Sequence, residues 1–178
     1  SREKAVAFIV ARLGSTRLSA KHLRPIGDRV MLDWVVERMR ACNEVDEIVI
    51  TTVAHPENEP LREYAEQNGI GCYWYEGDVD HVTNRLRSAA EAVGAEICIL
   101  LSGDSPLVHS PGIDQLISEL RATPHAEIVG GTPDTPERPP SLMSGVSVAR
   151  LSCWQLADDL SDTHNLRSNQ FPVIRMRE

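Results

Sequence analysis

A regular alternation of short apolar runs with amphipathic segments constrains the fold of this sequence more than any other feature. The apolar runs have strand length and span residues 5–11, 47–53, 72–75, 96–102, 127–131, 145–149 and 172–176. Segments of helical period lie between them, at 31–42, 61–70, 82–96, 111–122 and 151–160. This alternation is typical of a parallel sheet covered by helices on both faces. We therefore predict a three-layer α/β/α, Rossmann-like fold with a mostly parallel sheet.

The sequence indicates which face of the first predicted helix is buried and where the second and third helices end. The first places Leu32, Val35, Val36 and Met39 on one apolar stripe. The second and third are expected to end at Gly69 and Gly94, because glycine readily adopts the left-handed conformation that closes a helix. The stretch 130–145 is rich in proline and glycine, which predicts a long irregular loop that serves as a binding loop or as a mobile connector.

Length and charge narrow the classes of function. With 178 residues, the chain is predicted to form a single domain spanning 1–178. A net charge of −8 argues against a nucleic-acid or anionic-membrane surface, because those partners select a basic face. The four cysteines show no metal or redox spacing, and no apolar run reaches the length of a membrane span. A cytoplasmic protein that acts on small molecules is expected.

Positive charge is concentrated in one predicted loop directly after the first strand, ARLGSTRLSAKHL at residues 11–23. Gly14 and its small neighbours allow main-chain N–H groups to approach a ligand, and Arg12, Arg17 and Lys21 supply charge for phosphate oxygens. The loop lacks the spacing of a P-loop. The segment is interpreted as a triphosphate cradle, or alternatively as a solvated surface loop.

A carboxylate follows the predicted strand 96–102, in the sequence SGDSPL at 102–107. Asp104 is expected at the same sheet edge as the basic loop, since ligands of parallel sheets bind at the carboxyl ends of the strands. A lone carboxylate suits Mg²⁺, which completes its coordination with water and substrate phosphates. The alternative is that Asp104 only shapes a turn or caps the following helix.

Arg85 is a third candidate, placed by helical spacing near the edge of an apolar face, with Arg87 on the opposite side. It could reach a base or a phosphate, or simply pair with a neighbouring carboxylate. The six histidines lack metal-binding spacing and are interpreted as surface or capping residues. No nucleophile elbow surrounds any serine, so a hydrolase triad is not expected.

These segments resemble a known family. The stretch 11–39 is similar to the start of the sugar-activating cytidylyltransferases, whose first loop reads approximately A-R-x-x-S-x-R-L-P-x-K-x-L, and GDSPL resembles their G-D-x-P-L. The spore-coat-polysaccharide type is the most similar branch, and the 3-deoxy-manno-octulosonate and acylneuraminate cytidylyltransferases are more distant. The segments 81–96 and 162–176 also resemble the family, so the likeness covers nearly the whole chain.

The resemblance implies a nucleotide-diphospho-sugar transferase fold, CTP as substrate, Mg²⁺ as activator, sugar acceptors and a homodimer. Carried over by position, it assigns catalysis to Arg17 and Lys21 and metal binding to Asp104. The nucleotide-binding residues it implies are Ala11, Arg12, Leu13, Gly14, Ser15, Arg85, Ser102 and Gly103. The expected reaction transfers CMP from CTP to a sugar or sugar acid and releases pyrophosphate, in surface polysaccharide or glycan synthesis.

The sequence also departs from the family pattern. Ser19 and Ala20 stand where the family has proline and glycine, which predicts a less rigid loop, and Asn84 stands where the octulosonate branch has aspartate. A second metal carboxylate is expected beyond Glu178. Two alternatives therefore stay open: a nucleotide-binding protein of the same fold with impaired catalysis, and a nucleotidyltransferase with another base or acceptor, such as the molybdopterin or methylerythritol types.

Overall fold

A computed structural model describes residues 1–14, 20–129 and 145–163. Its eight strands are β1 (Ala5–Val10), β2 (Pro25–Ile26), β3 (Arg29–Val30), β4 (Glu47–Val53), β5 (Gly71–Tyr75), β6 (Ile97–Ser102), β7 (Ile128–Val129) and β8 (Ser147–Arg150). The five α-helices are α1 (Met31–Arg40), α2 (Glu59–Gln67), α3 (Val82–Ala92), α4 (Ser110–Ala122) and α5 (Leu151–Thr163). Short 3₁₀ helices span Lys21–Leu23 and Pro56–Asn58.

Six strands form the central sheet of the described residues, in the order β5-β4-β1-β6-β8-β7. β1 pairs in parallel with β4 and β6, and β4 pairs in parallel with β5. β8 is antiparallel to both of its neighbours. The prediction of a mostly parallel sheet is confirmed, and the reversed β8 is the exception that hydrophobic pattern alone does not reveal.

Apolar side chains cover both faces of the sheet. On one face Ile9, Ile50 and Ile99 lie in a core with α1, α2 and α4. On the other, Phe8 packs against Trp154 of α5, with ring centroids 5.3 Å apart, in a core that includes α3. Burial of both apolar faces is the main contribution to stability, as the alternation of apolar and amphipathic segments predicted. Because helices must cover each face, the fold has three layers.

Several local predictions are confirmed and others are corrected. The α1 stripe of Leu32, Val35, Val36 and Met39 is buried, and Gly69 and Gly94 both adopt positive φ just after their helices. The strand predicted at 127–131 is present at Ile128–Val129, and residues 130 and 131 lie outside the described residues. The antiparallel pair β2 and β3 was not predicted, because two-residue strands carry no detectable period. The predicted strand 172–176 and most of the loop 130–145 lie outside the described residues.

The order in which strands are added to the sheet changes direction between β1 and β6, although these two strands are parallel. From β1 it proceeds outward to β4 and β5, and later returns to β6 on the other side of β1. Such a switch point opens a crevice at the carboxyl ends of the two strands. Both candidate loops begin there. No helix within the described ranges combines the length and hydrophobicity needed to cross a bilayer.

Candidate functional site

The two candidate loops are joined at their bases. We call residues 11–23 the basic loop and 102–107 the aspartate loop. Val10 and Ser102 are partners in the register of β1 and β6, so the loops leave the sheet side by side. The Gly103 N–H donates to the Val10 carbonyl at 3.0 Å. The sheet therefore brings the two predicted motifs to one edge.

Main-chain hydrogen bonds hold the base of the basic loop. Ala11 is buried, and its N–H donates to the Thr51 carbonyl of β4 at 3.3 Å. The Leu13 N–H donates to Asn58 Oδ1 at 2.9 Å, and the Leu13 carbonyl accepts the Ala20 N–H at 3.2 Å. The second contact closes the loop, because it joins the residues on either side of its tip. Ser15 and Arg17 lie outside the described residues.

Ala20 ends the loop in the left-handed conformation, with φ of 56° and ψ of 27°. A residue with a Cβ pays about 1 kcal/mol there, whereas glycine does not. This is the position at which the similar family has glycine. The lower rigidity that the sequence predicts from this replacement stays a prediction, and the described backbone has Ala20 in a conformation that glycine adopts more readily.

Asn58 was not identified from the sequence, and it is the buried support of the basic loop. Its amide Nδ2 donates to the Val53 carbonyl at 2.9 Å while its Oδ1 accepts the Leu13 N–H. Leu13, for which nucleotide binding stays a prediction, has its side chain buried in the core and both of its main-chain polar groups hydrogen-bonded. The structure thus gives Leu13 the position of an anchor.

Two consecutive residues of the 3₁₀ helix hold the carboxylate of Asp104. Lys21 Nζ forms an ion pair with Oδ2, and His22 Nε2 lies 3.1 Å from Oδ1. The Asp104 side chain is 38% exposed, and that of His22 is 5% exposed. The alternative of a helix cap is not supported, since α4 begins at Ser110 and Asp104 faces the basic loop. Both oxygens of this carboxylate are therefore directed at the basic loop.

His22 corrects the prediction that every histidine is a surface or capping residue. It is buried, with its Nδ1 making no hydrogen bond among the described residues. Burial lowers its pKa below the usual value, although the Asp104 carboxylate acts in the opposite direction. By contrast His55 does cap a helix, its Nδ1 accepting the Glu57 N–H at 3.3 Å. Sequence spacing gave no signal for His22, because its partner lies on another loop.

The aspartate loop is shaped by Ser102. Its hydroxyl accepts the Asp104 N–H at 3.2 Å, and its carbonyl accepts the Ser105 N–H at 3.2 Å. Gly103 lies against the His22 ring, where an added Cβ would stand 2.4 Å from Cδ2. No larger residue fits at this position unless His22 moves. Ser102 and Gly103, both predicted to bind nucleotide, are thus placed beside Asp104.

Arg85 lies in the second turn of α3 and is 6% exposed. No carboxylate of the described residues pairs with its guanidinium, and its Nε has no hydrogen-bond partner among them. Burial, together with the positive charge of Arg12, lowers the pKa of Arg85. Two cations near one another without a described counter-ion form a favourable place for an anion. Within the described residues, the alternative that Arg85 pairs with a neighbouring carboxylate is not observed.

Arg87, only two residues further along α3, has the opposite surroundings. Its side chain forms ion pairs with Glu91 at 2.9 Å and with Asp159 at 2.8 Å, and Asp158 lies 3.6 Å away. Its pKa is raised, chiefly by the hydrogen bond to Glu91. Helical spacing had correctly placed the two arginines on different sides. Only Arg87 is neutralised by the part of the chain that the structure describes.

A buried carboxylate from α5 holds the first turn of α3. Asp158 is 2% exposed, and its oxygens accept from Thr83 Oγ1 and Asn84 Nδ2, both at 3.1 Å. The Tyr75 hydroxyl donates to Asn84 Oδ1 at 2.8 Å, so the amide is engaged on both sides. This cluster was missed because its carboxylate is far from α3 in sequence. It fixes the helix turn that precedes Arg85.

The oxygen chemistry of Asp104 fits a divalent cation. Lys21 places a positive charge on Oδ2, which is where a metal ion bound by this carboxylate would also supply one. Mg²⁺ commonly takes one or two protein carboxylates together with water and phosphate oxygens. Within residues 1–14, 20–129 and 145–163 no group of three or more His, Cys, Asp or Glu side chains could hold a metal ion. Asp104 thus suits a cation that a substrate phosphate helps to bind.

The chain is similar to proteins of one known family. The profile of the family described as "Cytidylyltransferase" matches residues 6–151. The chain is 32% identical over 123 residues to a 3-deoxy-manno-octulosonate cytidylyltransferase of Acidobacterium capsulatum, covering 69% of this chain and 48% of the relative. It is 33% identical over 117 residues to the spore coat polysaccharide biosynthesis protein SpsF of Bacillus subtilis, covering 63% and 48%. The chain therefore spans about half the length of these curated relatives.

Solved structures share the fold. A cytidylyltransferase from Leptospira borgpetersenii superimposes with a TM-score of 0.78 at 23% identity, covering 97% of this chain and 68% of that one. CMP:2-keto-3-deoxy-manno-octonic acid synthetase, solved in complex with CTP, gives a TM-score of 0.68 at 22% identity, covering 92% and 83%. The predicted fold of the nucleotide-diphospho-sugar transferases is confirmed.

Proposed function

This chain belongs to the cytidylyltransferase family, and from that premise we propose that it transfers CMP from CTP to a sugar or sugar acid. The products are a CMP-sugar and pyrophosphate, used in surface polysaccharide or glycan synthesis. The observation that carries the proposal is the buried Arg85, which lacks a counter-ion among the described residues and feels the charge of Arg12 in the basic loop. The names of the relatives favour a sugar acceptor.

The basic loop binds the triphosphate. Arg12 and Arg85 hold nucleotide oxygens between them, and binding replaces the repulsion of two cations by two favourable ion pairs. Gly14 and Ser15 bring the main chain of the loop close to the phosphates. Ala11 and Leu13 keep the loop attached to the sheet, and Ser102 and Gly103 form the opposite wall.

Asp104 would hold Mg²⁺, which would supply positive charge to neutralise the phosphates and so favour attack at phosphorus. Lys21 leaves Asp104 when the nucleotide arrives and binds the phosphates instead, since one ammonium cannot serve both positions. This exchange keeps the carboxylate neutralised in both states.

The reaction is a direct displacement. The sugar hydroxyl oxygen forms a bond to the α-phosphorus and loses its proton to solvent, and the bond from that phosphorus to the bridging oxygen breaks. Pyrophosphate departs with the electron pair of the broken bond. Arg17 and Lys21 stabilise the negative charge that develops on it, so no covalent intermediate with the protein is required.

Nucleotide binding and pyrophosphate release test this function together. Calorimetry with Mg²⁺ and each of the four nucleoside triphosphates is expected to show preference for CTP. Pyrophosphate release is then measured with CTP and a panel of sugars that includes 3-deoxy-manno-octulosonate. Binding without release across the panel would favour the alternative of a nucleotide-binding protein, and preference for another triphosphate would contradict the cytidylyl assignment.

Two variants locate the chemistry. Arg17→Ala and Lys21→Met are expected to reduce pyrophosphate release roughly 100-fold, within the range for loss of one charge-stabilising group. Lys4→Met is the matched control, because Lys4 precedes β1 at the opposite edge of the sheet and pairs with Glu47 there. Release within a few-fold of the parent in both Arg17→Ala and Lys21→Met would show that the basic loop does not perform this role.

A further inference from the structure

We propose that His22 is a positioning residue that orients Asp104 for the divalent cation and thereby sets the affinity of the site for that cation. The inference rests on the proposed function, in which Asp104 is the metal ligand. It extends that function to a residue for which the sequence gave no signal. Its basis is the contact, the burial and the packing of the His22 ring.

The contact is close and electrostatic. His22 Nε2 is 3.1 Å from Asp104 Oδ1, and the carboxylate oxygen attracts the ring N–H. Nδ1 makes no hydrogen bond among the described residues, and the main chain of Arg12 is a second polar group that acts on the ring.

Packing fixes the ring in place. The His22 side chain is only 5% exposed, whereas that of Lys21 is 29% exposed. An added Cβ at Gly103 would stand 2.4 Å from His22 Cδ2 and 3.0 Å from Nε2. The aspartate loop thus has no side chain at the position where the ring lies against it. The imidazole is held between the two loops and cannot follow a moving carboxylate.

The two residues that hold Asp104 have different freedom to leave it. Lys21 is flexible and partly exposed, so its ammonium can move to a phosphate and release Oδ2. His22 is buried and keeps Oδ1. Asp104 then presents Oδ2 alone to the cation, in one orientation. Hydrogen bonds to a ligating carboxylate from outside the coordination sphere commonly contribute 10- to 100-fold in metal affinity.

Binding of Mn²⁺ to the protein with CTP and no acceptor measures this effect directly, through the electron paramagnetic resonance signal of the free ion. His22→Leu, which fills similar volume without a donor, is expected to raise the Kd for Mn²⁺ at least tenfold. His22→Gln, whose amide can donate from near the same place, is expected to stay within about threefold of the parent. CTP affinity in EDTA is expected to change little in both, because the proposed nucleotide contacts are made by other residues.

Gly103→Ala is a second way to remove the contact between His22 and Asp104, and it leaves the His22 side chain itself unchanged. The new methyl group must push the ring away from Asp104, so the Kd for Mn²⁺ is expected to rise as in His22→Leu. In the His22→Ala background the clash is absent, and Gly103→Ala is expected to have little further effect. His125→Leu is the matched control, since His125 is exposed in the segment before β7.

Asp104→Asn separates failure of this inference from failure of the proposed function. If Asp104→Asn leaves Mn²⁺ affinity unchanged, Asp104 is not the metal ligand and the proposed site is wrong. If Asp104→Asn weakens Mn²⁺ binding while His22→Leu and Gly103→Ala do not, the proposed site stands and His22 has no positioning role. Equal losses in His22→Leu and His22→Gln would also overturn it, because they would indicate packing alone.

Discussion

The cations of the candidate site are held in two different ways. Arg85 extends from a helix whose first turn is fixed by the buried Asp158, through hydrogen bonds to Thr83 and Asn84. Lys21 extends from a loop closed by a left-handed alanine, and its partner is the partly exposed Asp104. The hydrogen bonds of Asp158 that hold the helix of Arg85 are buried, whereas the ion pair of Lys21 with Asp104 is partly exposed and can be broken. A site of this kind combines a preorganised arginine with a lysine that can change partners.

The largest expected effect comes from breaking the helix support. Asp158→Ala is expected to lower the free energy of unfolding by about 3 kcal/mol, because the Thr83 hydroxyl and the Asn84 amide lose a charged acceptor in a buried place. Chemical denaturation measures the change. Asp159→Ala, which alters a 66% exposed neighbour, is expected to change stability by about 0.5 kcal/mol. Equal losses in the two variants would show that burial of Asp158 has no special weight.

The loop support can be strengthened by one substitution. Ala20→Gly removes the cost of a Cβ at φ of 56° and is expected to raise the free energy of unfolding by about 0.5 kcal/mol, after the greater chain entropy of glycine is deducted. Thermal unfolding detects the change. A decrease in stability would mean that the left-handed conformation at residue 20 does not persist in solution.

The parts of the fold that follow from hydrophobic periodicity were predicted from the sequence. The buried strands β1, β4 and β6 are continuous apolar runs, and they fixed both the sheet and the edge at which the two loops meet. Strand direction has no such signature, so the reversal of β8 was not predicted. Basic and acidic loops were identified because charge clusters after an apolar run are visible in a single sequence.

The supporting residues of the site could not be predicted. Asn58 contacts Leu13, which is 45 positions away in the chain, and Asp158 contacts Asn84, which is 74 positions away. His22 contacts Asp104, which is 82 positions away. Their roles depend on how the elements pack, and no local pattern records that. The sequence identified Arg85 as a candidate, whereas its burial without a counter-ion among the described residues is visible only in the packed structure.

The central claim is that Arg85, which is buried and has no counter-ion among the described residues, holds the nucleotide. The most direct test is calorimetric titration of CTP into Arg85→Met and Arg87→Met, with thermal unfolding of both. Arg85→Met is expected to lose roughly 100-fold in CTP affinity, about 3 kcal/mol, yet to be at least as stable as the parent, because an apolar side chain replaces a buried charge. Arg87→Met is expected to bind CTP normally. Unchanged CTP affinity in Arg85→Met, or equal losses in the two variants, would contradict the account.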